Sequence, residues 1–173
     1  MRKLLILFLL AASVLLPASA AAGGWSPLQI ALWHPAQLVD EDVNVYGLRL
    51  NLFYGKNKNV WGLDLGAANT SPERVGGIQA GIINGPGALG GIGLGVINSS
   101  RRVDGLQAGI LSVAEDSVNG AQVSAVFNKS RKVRGVQIGL INSAEDLNGL
   151  QIGLINAVKD SSVPFLPILH PGF

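Results

Sequence analysis

Gly135-Val136-Gln137-Ile138-Gly139-Leu140-Ile141-Asn142 returns fourteen residues later as Gly149-Leu150-Gln151-Ile152-Gly153-Leu154-Ile155-Asn156. Working outward, the same unit is found at Gly120, Gly105, Gly91, Gly77, Gly62 and Gly47, with Pro27-Leu28-Gln29-Ile30 as a degenerate first copy. Successive glycines are always 14 or 15 residues apart. Self-similarity at a fixed short interval identifies an array of equivalent structural units. Inside each copy the period is two, the strand period. The second, fourth and sixth positions are apolar in every copy, as in Ile78, Ala80 and Ile82. The alternate positions carry a Gln column (Gln29, Arg49, Asp64, Gln79, Gly93, Gln107, Gln122, Gln137, Gln151) and a column of mostly small residues. Interior glycines and turn residues at each interval exclude a helix. The fold class is all-β.

Between copies lie short turn-rich segments such as Gly55 to Asn59, Ser99 to Arg102, Glu115-Asp116, Asn128 to Lys132 and Glu145-Asp146. Four- or five-residue connections are of hairpin size, and they leave strands of about ten residues. Such strands, apolar on one side and polar on the other, predict an up-and-down antiparallel meander of 8–10 strands closed as an outer-membrane-type barrel. In that arrangement the apolar side faces lipid, and closure removes the exposed edges. The alternative is a two-sheet parallel β-solenoid that buries its apolar faces against each other and shows Gly and Gln to solvent. Charge alternates from turn to turn, basic at Arg101-Arg102 and Arg131-Lys132, acidic at Glu115-Asp116 and Glu145-Asp146. This doubled period implies two strands per unit and fits either fold. In the last segment, Val163 to Leu169, Pro164 and Pro167 cannot donate to a ladder and count against a strand.

The chain has 173 residues, 14% of them charged, and 23 glycines. Residues 1–20 have the layout of a secretory signal: basic Arg2-Lys3, an apolar stretch from Leu4 to Leu16, and a small-residue site at Ala18-Ser19-Ala20, with Ala22 as a second cleavage point. Residues 21–173 then form one repeat-built domain. Removing Arg2 and Lys3 from thirteen basic residues leaves eleven, against eleven acidic. A balanced charge offers no electrostatic footprint for nucleic acid. The absence of cysteine excludes disulfides, thiol nucleophiles and thiolate-bound metals.

Tyr46-Gly47-Leu48-Arg49-Leu50-Asn51-Leu52, Val60-Trp61-Gly62-Leu63-Asp64-Leu65-Gly66, the repeated GLQIGLIN and the closing Pro164 to Leu169 resemble bacterial surface-repeat proteins, exported and of uncharacterised function. The resemblance spans almost the whole mature chain. It implies a cell-envelope address and carries over no catalytic residue.

No catalytic, cofactor or metal constellation emerges. His34 and His170 lie at opposite ends of the repeat array, with no ligand-like spacing around them. They read as exposed or terminal histidines. Arg49 and Asp64 are the charged members of the Gln column, in consecutive copies and of opposite sign. In an antiparallel hairpin turning near residue 57 they oppose each other as a cross-strand ion pair or a charged constriction in a barrel lumen. A solenoid with two strands per coil would put them on separate sheets. The expectation is a non-enzymatic outer-membrane or surface protein with lipid as its partner. The alternative is an exported, soluble solenoid in the periplasm or outside the cell, acting as a binding module.

Overall fold

The computed structural model describes residues 24–172. The signal-peptide reading of residues 1–20 and the terminal Phe173 lie outside the described residues. The described chain is built of strands: β1 (Trp25–Trp33), β2 (Ala36–Gln37), β3 (Asn44–Lys56), β4 (Asn59–Ile138), β5 (Ile141–Val158) and β6 (Phe165–Gly172). β4 runs for 80 residues, which stretched straight would exceed about 250 Å at strand rise. It is instead wound. Arg49 pairs with Asp64 and Gly47 with Gly62, in parallel and fifteen residues apart. Further on, Gln137 pairs with Gln151 and Asn142 follows Asn128, also in parallel and fourteen apart. Each repeat is one complete coil, laid on the coil before it.

The architecture is therefore a parallel β-solenoid of about seven turns, and the antiparallel barrel expectation is corrected. Its basis was the spacing, which hairpins and single-repeat coils share. The parallel solenoid given as the alternative holds, but its coil differs. It assumed two repeats per coil, whereas one suffices, because each turn stacks directly on the next. The alternating charge then has a different cause. Turns on neighbouring coils lie on the same side, about 4.8 Å apart, where stacked like charges would repel. Acidic turns between basic ones remove that repulsion, and Arg131 bonds Asp116 on the adjoining coil.

The coil beginning at Gly135 shows the sidedness. Gln137, Asn142, Ala144 and Leu147 point inward and are buried, whereas Ile138, Leu140, Glu145, Asp146 and Asn148 are exposed. The polar column is inside and the apolar columns are outside, which reverses the burial expected for the solenoid. An inner column of Val45, Val60, Val75, Leu89, Val103 and Val118 supplies the apolar core. The fifteen-residue coil at Gly105 accommodates its extra residue in a bend: three side chains separate buried Ala114 from Val118, against two between Ala144 and Leu147.

Every coil turns a corner at its leading glycine. Gly47, Gly62, Gly77, Gly91, Gly105, Gly120, Gly135 and Gly149 all have φ between 126° and 147°, a region only glycine enters easily. At Gly135 an added Cβ would also run into the carbonyl oxygen of Gly120 on the coil below. The column is thus set by conformation and by close approach together.

Both ends are closed by non-repeat segments. β2 folds back antiparallel on β1, and the Gln29 side chain pairs with the Val39 backbone. In the same cap, the Lys56 ammonium lies 2.8 Å from Glu41. Its hydrogen bond holds the Glu41 carboxyl below the usual carboxylate range. At the other end β6 pairs antiparallel with β5. The prolines are compatible with it because β6 is an edge strand, needing donors on one side only.

Candidate functional site

Inside the coils, side-chain amides form ladders. Parallel in-register stacking brings identical residues together, and an amide both donates and accepts, so each column bonds to itself. Gln151 donates to Gln137 (2.7 Å), Gln137 to Gln122 (2.7 Å) and Gln122 to Gln107 (3.0 Å). A second ladder runs from Asn51 through Asn69 and Asn84 to Asn98, with steps of 2.8, 3.0 and 2.9 Å. It resumes from Asn128 through Asn142 to Asn156. Between these stretches stands Ser112, which receives the Ser124 hydroxyl. Where Gly93 interrupts the Gln column, Leu89 of the preceding coil replaces the usual Val, and its Cδ2 occupies the space a Gly93 side chain would need.

The structure brings Arg49 and Asp64 together, through parallel stacking of adjacent coils. Arg49 grips Asp64 with two bonds of 2.6 Å, Nε to Oδ1 and Nη2 to Oδ2, and both side chains are fully buried. Arg49 Nη1 donates to the Thr70 carbonyl, while Asp64 also accepts from Asn51 and Gln79. Bidentate, fully hydrogen-bonded geometry is what a buried ion pair requires. The pair forms the first steps of the Gln ladder, packed inside the coil stack rather than lining an open lumen.

The histidines are not brought together. His34 contacts Glu41 at 3.2 Å in the N-terminal cap. His170 is buried, contrary to the sequence expectation, because β6 places it against Gln151 at the end of the Gln column. Its Nε2 lies 2.8 Å from the Val163 carbonyl. Among the described residues no group of three or more His, Cys, Asp or Glu is arranged to hold a metal.

The surface is where the molecule departs from ordinary packing. The second, fourth, sixth and seventh positions of each coil form one continuous apolar flank with no polar side chain in it. Leu154 is 66% exposed, Leu52 60% and Ile82 57%. Stacked at coil spacing, eight coils and these four columns cover about 750 Å². The largest apolar patch on a typical monomer is roughly 300–600 Å². The flank also takes in Leu28, Ile30 and Leu32 of the degenerate first copy in β1 and continues beyond the repeats onto Leu169 of β6, all exposed. Charged side chains occupy the other sides, at Arg101, Arg102, Glu115, Asp116, Arg131 and Lys132. The sequence identified these apolar residues correctly but assigned them to a lipid-facing barrel wall or a buried core.

No family model, curated protein or solved structure matches the chain.

Proposed function

We propose that this chain is an exported, non-enzymatic interaction module of the cell envelope, a solenoid that docks through its apolar flank. The observation that supports it is the extent of that flank, which is continuous from the degenerate first copy in β1 over the repeats and onto β6. An apolar surface of this size exposed to water drives association. The interior side chains are committed to ladders and the ion pair, so the molecule's capacity for recognition lies on its outside. The resemblance to surface-repeat proteins and the basic-apolar leader both fit an envelope address.

The test is a stripe of lysines on the flank. Leu65→Lys, Leu94→Lys, Val123→Lys and Ile152→Lys replace outward residues on alternate coils, which keeps the new charges about 10 Å apart. Full-length wild type and the fourfold variant are expressed in a bacterial host and fractionated. The expected result is wild type with the envelope and the variant released, with the strand-type circular dichroism of both unchanged. Equal envelope retention of a folded variant would contradict docking through this flank.

A further inference from the structure

We infer that the occupant of the apolar flank is the hydrocarbon of an electrically neutral lipid surface, on which the solenoid lies flat; this rests on the docking function proposed above. The flank's chemistry separates lipid from a protein partner. Protein interfaces carry about one hydrogen bond per 100–200 Å², and this flank offers no side-chain donor or acceptor over its whole area. Along its second and fourth positions the backbone is paired from coil to coil, as at Leu48 with Leu63, Leu50 with Leu65 and Ile138 with Ile152. Hydrocarbon demands that condition, since an unpaired backbone group has no partner there.

The tryptophans and tyrosines mark the boundary. All five lie in the first coils, on both margins of the flank. Trp25 and Tyr46 meet edge to face at 6.3 Å, and Trp61 stacks on Tyr46 in register from the next coil, before the corner glycines. Across the flank, at its far corner, Trp33 and Tyr54 lie 6.1 Å apart beside exposed Phe53. Trp and Tyr favour the level of lipid headgroups, where an apolar ring and a polar tip are both accommodated. Arg74 sits over the Trp61 ring at 5.4 Å, placing a cation at that margin.

Charge placement specifies the lipid. The turns that carry Arg101, Arg102, Arg131 and Lys132 also carry Glu115, Asp116, Glu145 and Asp146 in alternation. A mixed array exerts little net pull on an anionic surface. Attachment then comes from apolar area and is insensitive to salt. Growth end to end is blocked as well, because Pro167 and Pro171 interrupt the donors of the exposed edge strand.

The experiment is flotation of the exported chain with phosphatidylcholine vesicles, with and without phosphatidylglycerol, at low and high salt. A nitrobenzoxadiazole label on Ile138→Cys reports the flank, and one on Ser143→Cys reports the side that carries the charged turns. Equal flotation in all four conditions is expected, and the lysine stripe should reduce it by at least about tenfold. The label at position 138 should brighten and shift to the blue, with that at 143 unchanged. Flotation only with anionic vesicles, abolished by salt, would overturn the inference. So would absence of flotation together with cross-linking of two copies through Ile138→Cys, which makes a second copy the occupant. In that second case the lysine stripe would still release the chain from the envelope, leaving the docking function intact while removing lipid as its target.

Discussion

The molecule has two apolar regions that meet opposite fates. The column Val45, Val60, Val75, Leu89, Val103 and Val118 is fully enclosed, while the Leu, Ile and Val of the flank stand in the open. Hydrophobicity does not distinguish them. Their neighbours along the chain do: flank residues alternate with Gln and small residues whose amides and backbones lock together inside, and an alternating strand cannot turn both sets inward. The polar ladders decide which set is buried, and the flank is what remains outside. The contrast teaches that a polar interior bonded in ladders from coil to coil can outweigh the usual apolar-inside rule in a parallel stack.

The sharpest way to break the contrast is to strand a charge inside. Arg49→Met leaves Asp64 buried without its partner and should lower stability by about 3–5 kcal/mol in urea titration. Leu50→Met, next to it but on the flank, should change stability by less than about 1 kcal/mol. The double variant Arg49→Gln/Asp64→Gln extends the amide ladder and should recover most of the loss. Next in size is the corner. Gly135→Ala combines a forbidden φ with a clash against Gly120, for an expected loss of about 2–4 kcal/mol. At Gly85 the nearest atoms to an added Cβ are 3.8 Å away, so Gly85→Ala should match or slightly exceed wild type. A single rung is worth less. Gln122→Leu orphans the Gln107 acceptor and the Gln137 donor and should lose about 1–3 kcal/mol. The outward Val123→Gln should be within about 0.5 kcal/mol of wild type. Smallest is the turn ladder: Asp116→Lys removes the exposed partner of Arg131 and should lower stability by up to about 1 kcal/mol, relieved by salt.

Much of this was legible in the residues. The unit, its period, the strand content and the neighbourhood of Arg49 and Asp64 follow from spacing, whereas the corners turned at the leading glycines do not. The sign of the faces does not. A period of two separates one side of a strand from the other without saying which is enclosed: the barrel reading put Gln137 inside and Ile138 outside, as found, and the solenoid alternative put them the other way round. Nor does spacing distinguish a hairpin from a coil, since both bring residue 49 to residue 64. The deciding signal was the kind of column: Gln above Gln and Asn above Asn suit in-register parallel stacking, and opposite charges in adjoining turns need no second strand to explain them. His170 was misjudged because its burial depends on β6 docking against β5, a contact outside the repeat.

The central claim, that Gln faces in and Ile faces out, is tested most directly at two consecutive residues. The chain has no cysteine of its own, so Gln137→Cys and Ile138→Cys each carry a single thiol. Maleimide is added to the folded protein in buffer and again in denaturant. The account predicts rapid labelling at position 138 under native conditions and protection at 137 until the coils open. Rapid native labelling at 137 with protection at 138 would contradict it.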